Sequence, residues 1–186
     1  EDVLQQAGRV ELPALKFYED RCLAATEAFD GTPMIGFSHP LLQEALFAWA
    51  GAQGALTLRP AKATGFAHNG QPGVAVTVAG REVEYTARLV VGADGKLSAA
   101  RRWTGGDTLS DAEHHRFGGF LVTGLPESWL VVGDVRTAPT ECICFAQSAT
   151  ATRLYLRMTA DRVRESGVDR SFAAFISHAA GYMPDG

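Results

Sequence analysis

The stretch TARLVVGADGKLSAARRWTG, residues 86–105, decides the predicted fold. Its apolar run, residues 87–91, shows little alternation, which predicts a strand that is buried on both faces. The glycines on either side of Asp94 predict a tight turn, and Ser98 is placed to cap a following helix. A glycine-rich turn at a helix N-terminus makes backbone N–H groups available to a phosphate or a ribose. The stretch therefore predicts a strand, a turn and a helix beside a nucleotide.

The same stretch resembles the DG motif of the FAD-dependent aromatic hydroxylases, the para-hydroxybenzoate hydroxylase family. The positions that match are Val90, Val91, Gly92, Ala93, Asp94, Gly95, Ser98 and Arg101. Leu97 departs from the family, which usually has a polar or charged residue there. The resemblance implies that Asp94, Gly95 and Ser98 support the phosphate side of FAD, and that Arg101 assists FAD or NAD(P)H. An ordinary strand, turn and helix with a capping serine would explain the same residues without a ligand.

Composition narrows the class of protein. With 46% hydrophobic and 20% charged residues, the 186-residue chain is expected to be globular. The net charge of −4 provides no basic field for nucleic acid, and no run approaches the length of a membrane span. The three cysteines form neither a CxxC motif nor a disulfide framework, which favours a reducing cytoplasm.

Two motifs that the family uses for FAD are missing from the sequence. No GxGxxG loop occurs, and neither Gly106-Asp107 nor Gly133-Asp134 has the apolar strand and small-residue helix that surround the family's second motif. We therefore expect the middle fragment of a longer protein, inactive by itself. The predicted fold class is α/β with mixed α+β content. Residues 1–105 are expected to form a partial FAD-binding domain of the glutathione-reductase type, and residues 106–186 a partial substrate domain with a mainly antiparallel sheet.

The rest of the sequence predicts the helices and strands of these two domains. A helix is predicted to open at Ser38-His39-Pro40, and three short strands between residues 62 and 85 suggest an antiparallel meander leading into the strand at 87–91. Leu56–Leu58 also reads as a strand, and a helical segment is expected over residues 161–182. Further strands are predicted at Arg116–Thr123, Trp129–Val135, Glu141–Gln147 and Thr152–Thr159. In the family, a polar residue just before the helix approaches the flavin; His39 holds that place, and a role at the helix start explains it equally well.

The strongest candidate for a ligand face is the hairpin over residues 141–160. In its second strand Leu154, Leu156 and Met158 are predicted to face a core, with Arg153, Tyr155 and Arg157 on the other side. The hairpin resembles the one in which the family places an Arg near the flavin ring and a Tyr on the aromatic acid. Arg153 and Tyr155 fall on those places, and a solvated strand face is the alternative for both.

One replacement bears on the substrate. Where the family has an Arg that pairs with the substrate carboxylate, this chain has Gln147, and Phe145 replaces a neighbouring Ser. Without a bidentate cation a benzoate loses a charge-assisted contact. The resemblance therefore implies a neutral or larger aromatic substrate, which Gln147 and Tyr155 would face.

Metal chemistry and other enzyme classes find little support. Cys142 and Cys144 would lie on one face of a strand as buried free thiols, and His114-His115 has no third ligand nearby. No residue is predicted as a metal ligand or as a catalytic acid, base or nucleophile.

The resulting hypothesis is a flavin monooxygenase that uses FAD, NAD(P)H and O2 on a small aromatic or polyketide-like substrate, with oligomerisation possible. The alternatives are a non-catalytic ligand-binding or interaction module, and a related flavin reductase or halogenase. A halogenase would need a lysine near the flavin and a tryptophan motif of its own, and neither is found.

Overall fold

The computed structural model describes residues 2–68, 70–125, 130–133 and 140–184. The chain forms two compact units, one of Glu1–Trp49 with Ala112–Gly186 and the other of Ala50–Asp111. The contacts thus group the first 49 residues with the end of the chain. The boundary at residue 105 between an FAD-binding and a substrate domain remains a prediction. The mixed α/β class with mainly antiparallel sheets is confirmed.

The helices and strands lie in the following order. They are α1 Val3–Gln6, β1 Val10–Leu12, β2 Ala14–Glu19, β3 Cys22–Ala28, β4 Met34–Gly36, α2 His39–Ala52, β5 Ala61–His68, β6 Pro72–Val78, β7 Arg81–Thr86, α3 Ala99–Thr104, β8 Arg116–Thr123, β9 Leu130–Gly133, β10 Thr140–Ala146, β11 Ala151–Met158, α4 Ala160–Ser166 and α5 Phe172–Ala180. Most of the predicted strands are confirmed, while Trp129, Asp134 and Val135 of the predicted strand Trp129–Val135 lie outside the described residues.

A six-stranded sheet dominates the first unit. Its order is β3-β2-β9-β10-β11-β8, and every pairing is antiparallel except that of β2 with β9. Strand β11 alternates between half-buried and buried residues along its whole length. One side of the sheet packs with residues of α4 and α5 in a core that contains Leu156, Met158 and Phe175. The predicted alternation of the hairpin is therefore confirmed. Successive side chains of a strand point to opposite faces of the sheet, so only every second side chain reaches the apolar core.

The second unit contains the predicted meander of β5, β6 and β7, paired antiparallel in that order. Ala79 and Gly80 both have positive φ in the turn between β6 and β7, as a two-residue hairpin turn requires. Helix α3 packs on β5, with the ring of Trp103 edge-on to Phe66 at a centroid distance of 5.5 Å.

Two predicted strands are absent. Residues 87–91 form no strand, and the side chains of Leu89 and Val91 are each 74% exposed. Leu56–Leu58 is also irregular, with Leu56 76% exposed. Both predictions were wrong for one physical reason: a strand needs a neighbouring strand for its backbone hydrogen bonds, and none of the described strands pairs with these segments.

The predicted helix α2 is confirmed, and it begins at His39. Much of its apolar face is open, since Leu46 and Trp49 are 46% and 53% exposed. Among the described helices, none combines the length and the hydropathy that crossing a bilayer requires.

Candidate functional site

The turn around Asp94 is held by its own side chains. The Ser98 hydroxyl donates to Asp94 Oδ1 at 2.5 Å, and the N–H groups of Ala99 and Ala100 donate to Oδ2 at 2.5 and 3.1 Å. Ser98 Oγ in turn accepts from the N–H of Arg101 at 3.0 Å, which confirms Ser98 as the N-cap of α3. These bonds, led by that from Ser98, lower the pKa of Asp94 from 3.8 to about 2.

The same bonds change the expectation for this turn. The sequence predicts that backbone N–H groups at this helix N-terminus are available to a phosphate. In the structure, the side chains of Asp94 and Ser98 already accept from those of Ala99, Ala100 and Arg101. An anionic carboxylate at this helix end also repels a second anion. Direct phosphate binding by these three N–H groups is therefore not supported, and the wider cofactor role of the turn stays a prediction.

Glycines shape the turn for two different reasons. A Cβ on Gly92 would lie 2.5 Å from the Cβ of Ala100, so this glycine lets the turn approach α3 closely. Gly95 has a φ of +79°, a conformation that other residues adopt with strain. The two positions were correctly predicted as turn glycines from the sequence.

The guanidinium groups that follow the turn bind its carbonyls. Arg101 Nη2 donates to the carbonyl of Lys96 at 3.2 Å, and Arg102 Nη1 donates to that of Leu97 at 2.6 Å. Arg101 is half-buried and keeps further donors for a ligand. Its predicted contact with FAD or NAD(P)H remains a prediction.

Tyr155 lies on the sheet face opposite the core, among other aromatic rings. Its ring centroid is 4.4 Å from that of Phe117 at an interplanar angle of 30°, and 5.8 Å from that of Phe145 at 34°. The guanidinium carbon of Arg153 is 5.7 Å from the same centroid. No hydrogen bond to the Tyr155 hydroxyl is found within the described ranges. Tyr155 is half-buried and thus combines a ring held by aromatic neighbours with a hydroxyl that has no partner among the described residues.

Arg153 is the polar residue of this face with an unsatisfied atom. It is half-buried, and its Nε is inaccessible to solvent and has no hydrogen-bond partner in the part of the chain described. A buried donor without a partner costs free energy, which an acceptor on a ligand would offset. Arg162 Nε on α4 is unsatisfied in the same way. Arg157, by contrast, forms an ion pair with Glu141 across the strands.

The other two predicted residues lie elsewhere in the first unit. Gln147 follows β10 in the hairpin turn, where its N–H donates to the carbonyl of Ala151 at 2.8 Å, and its side chain is half-buried. His39 is exposed at the first position of α2. The structure thus groups Arg153 with Tyr155, and the Asp94 turn with Arg101. Substrate contact by Gln147 and cofactor contact by His39 stay predictions.

Sequence reasoning missed the neighbours of Tyr155. Phe117 and Gly119 on β8 lie beside it because Gly119 pairs with Tyr155 in the antiparallel register. The sequence predicted a strand over Arg116–Thr123, but it could not show which strand pairs with β11.

The thiols lie on the core side of the sheet. Cys142 and Cys144 are fully buried, and burial raises the pKa of each to about 12. The described residues contain no group of three or more His, Cys, Asp or Glu side chains that could hold a metal ion.

Two cavities are found beside the helices of the first unit. One, of about 370 Å³, lies along edge strand β8 and is lined by Phe120, Met158 and Phe175 among others. The other, of about 270 Å³, includes Val122 and Ile176. The eight residues predicted to bind cofactor or substrate line neither cavity, but Phe117 and Gly119, which lie beside Tyr155, line the first one. The face around Tyr155 therefore remains the candidate site.

The fold of this chain is similar to that of several solved structures, whereas sequence comparison finds no match. No protein-family model and no curated protein sequence matches the chain. Among solved structures, a mutant of PqsL from Pseudomonas aeruginosa matches 98% of this chain and 52% of its own, with a TM-score of 0.75 and 17% identity. The wild-type protein is described as a probable FAD-dependent monooxygenase.

Two further structures match to a similar extent. The tetrameric form of 2-methyl-3-hydroxypyridine-5-carboxylic acid oxygenase matches 97% of this chain and 50% of its own, with a TM-score of 0.69 and 20% identity. A variant of HpxO from Klebsiella pneumoniae, solved with FAD, matches 98% and 50%, with a TM-score of 0.67 and 16% identity. The chain spans about half the length of each, and it has the fold of the corresponding part of FAD-dependent monooxygenases.

Proposed function

We propose that this chain is part of an FAD-dependent monooxygenase that acts on an aromatic substrate with NAD(P)H and O2. The observation that carries the proposal is the likeness of almost the whole chain to FAD-linked oxygenases, together with the open Arg153–Tyr155 face. PqsL has also been solved with 2-aminobenzoylacetate, an aromatic acid, which supports an aromatic ligand for this fold. A cytoplasmic location and an oligomeric state remain part of the proposal.

The residues of this chain fit FAD unequally in its two units. On the sheet face, the buried Nε of Arg153 fits an acceptor on the flavin ring. At the Asp94 turn, the helix N–H groups are occupied, so Asp94 and Ser98 would hold the shape of the turn while Gly95 lets the backbone pass close to the cofactor. The flavin supplies the redox chemistry when bound.

The protein's own contribution would be to bind and orient the substrate. Tyr155 offers a hydroxyl that can donate to or accept from a phenolic or heteroaromatic group. Gln147, at the end of the same hairpin, would add a neutral amide. Since neither residue carries a positive charge, the proposed substrate is a neutral or larger aromatic compound, and 4-hydroxybenzoate is disfavoured.

The first experiment would record the visible absorption spectrum of the whole protein before and after anaerobic addition of NADPH. We expect a flavin spectrum that bleaches, and we expect the 186-residue chain alone to bind FAD weakly. Arg153→Gln should weaken FAD binding, whereas the control Arg164→Gln, on an exposed part of α4, should not. The absence of a flavin spectrum after FAD is supplied would contradict the proposal.

Three other functions are each supported by some of the same observations. A flavin-dependent brominase and a geranylgeranyl bacteriochlorophyll reductase-like protein also match the fold, so oxygen transfer needs its own test. Incorporation of ¹⁸O from ¹⁸O₂ into a phenol would support the monooxygenase, whereas a bromide requirement or a reduced product without labelled oxygen would favour the others. The hydrogen bonds within the Asp94 turn, which occupy the N–H groups of α3, favour a ligand-binding module. Such a module would bind an aromatic compound without binding flavin.

A further inference from the structure

The ring of Tyr155 is confined by residues from both neighbouring strands. Phe117 of β8 stacks on one side with a tilt of 30°, and Phe145 of β10 lies diagonally across with a tilt of 34°. Both partners are diagonal neighbours in the antiparallel register, a spacing that aromatic side chains can reach. The three rings therefore form a row across the sheet, with Tyr155 in the middle.

The space for this ring is provided by Gly119. A Cβ at this position would lie 2.5 Å from Tyr155 Cδ1 and 3.0 Å from Cε1, and it would also lie 2.4 Å from the carbonyl oxygen of Leu154. Any side chain at position 119 must therefore displace the Tyr155 ring or the strand that carries it. The adjacent Gly118 differs, because a Cβ there would meet open space.

The two ends of the row differ in exposure. Phe145 packs against the buried residues Leu12 and Ala146, whereas Phe117 at the other end is 55% exposed, and the larger buried cluster of this sheet lies on the other face. A ring that stacks while remaining open to solvent restricts its neighbour without closing the face to a ligand. The arrangement fixes Tyr155 and leaves its surroundings accessible.

We propose that Gly119 and Phe117 are positioning residues for Tyr155 on the substrate face. Gly119 gives the ring its place against β8, and Phe117 limits its rotation, so that the hydroxyl is preorganised before a ligand arrives. Preorganisation reduces the side-chain entropy that binding would otherwise cost. The inference rests on the proposed function in taking Tyr155 as a substrate contact.

The position of Tyr155 can be measured without any ligand. The 186-residue chain contains four tyrosines, and labelling it with 3-fluorotyrosine gives a ¹⁹F NMR signal for each, with Tyr155 assigned by the Tyr155→Phe variant. We expect Gly119→Ala and Phe117→Leu to shift and broaden the Tyr155 signal, whereas the matched control Gly118→Ala leaves it in place. An unchanged Tyr155 signal in Gly119→Ala or in Phe117→Leu would overturn the proposal. If Gly119→Ala does not fold, Phe117→Leu still decides the question.

The consequence for binding is measured with 2-naphthol as the probe. We expect 2-naphthol to shift the Tyr155 signal of the unsubstituted chain, and its Kd to rise at least tenfold in Gly119→Ala but less than twofold in Gly118→Ala. In a Tyr155→Ala background, Gly119→Ala should add little, because the ring through which it acts is gone. An equal effect in both backgrounds would show a merely structural role and overturn the proposal.

The two proposals can fail separately. If the ¹⁹F signals and the naphthol affinities change as expected but the whole protein holds no flavin, the positioning role stands and the monooxygenase function fails. If the whole protein is a reducible flavoprotein but Gly119→Ala leaves Tyr155 and 2-naphthol binding unchanged, the positioning role fails by itself.

Discussion

Two apolar segments of this chain are predicted from the sequence to form strands, and only one of them does so in the structure. Strand β11 pairs with β10 on one side and β8 on the other, and its alternate side chains are buried. Residues 87–91 contain a larger share of apolar side chains than β11, yet Leu89 and Val91 are largely exposed. Regular pairing in the meander stops at Thr86, and the N–H of Ala87 makes one further bond to the carbonyl of Pro72.

The difference shows what an apolar sequence can and cannot specify. β-Branched and apolar side chains favour extended backbone, but the stabilisation comes from hydrogen bonds and cross-strand contacts with neighbours. The hairpin supplies β11 with a neighbour that is close in sequence. A strand of a buried parallel sheet depends on partners that are distant in sequence, and the described strands offer none to residues 87–91.

The comparison can be tested most strongly by removing one leucine from each segment. Leu156→Ala creates a cavity in the core behind β11, where the side chain is 3% exposed, and should lower the free energy of unfolding by about 2–5 kcal/mol. Leu89→Ala removes an exposed side chain and should change it by no more than about 0.5 kcal/mol. Urea denaturation measures both. Comparable losses from the two variants would mean that residues 87–91 are buried after all.

Thiol reactivity tests how closed the core behind β11 is. Because burial raises the pKa of Cys142 and Cys144 to about 12, both should resist a thiol reagent at pH 8 in the folded chain and react only on unfolding. Cys22, which is exposed on β3, should react rapidly. The control Cys22→Ser should abolish the fast phase. Two or more fast-reacting thiols in the folded chain would contradict the closed core.

Helix caps provide a smaller contrast between the two units. Ser171 caps α5, which carries the buried Phe175, whereas Ser98 caps α3, which has no buried residue. Ser171→Ala should lower the free energy of unfolding by about 0.5–2 kcal/mol, and Ser98→Ala should lower it less, because α3 can fray without opening a core. Urea denaturation with hydrogen exchange of both helices measures the difference. A larger global loss from Ser98→Ala would reverse the ranking.

The smallest expected effect is a change of pKa at the Asp94 turn. A pKa lowered to about 2 means that the folded turn favours the carboxylate. Its stabilisation is therefore fully present above pH 3.8 and lost as the pH falls through about 2. Ser98→Ala removes the hydrogen bond that lowers the pKa most, so carboxyl ¹³C NMR should show the Asp94 midpoint rising towards 3.8. The control Ser110→Ala should leave it unchanged, and an unmoved midpoint in Ser98→Ala would remove Ser98 as the cause.

Local features of the candidate site were predictable because they depend on neighbouring residues. Ser98 caps α3 and Gly95 adopts a positive φ, as the sequence around Asp94 indicated. The alternation of Arg153 and Tyr155 with buried residues followed from the period of a strand. The engagement of the Asp94 carboxylate by Ala99 and Ala100 was not foreseen, since the motif shows which residues are near but not which acceptor reaches the N–H groups first.

The sequence by itself determined the elements whose partners are close along the chain: the meander, the hairpin of β10 and β11, and the cap at Ser98. Only the tertiary structure decided which strand lies beside β11, and hence that Gly119 and Phe117 surround Tyr155. It also decided that residues 87–91 remain unpaired. The physical reason is the same in each case. Local periodicity determines which side chains share a face, but hydrogen bonds and ring contacts between distant residues depend on which strands become neighbours.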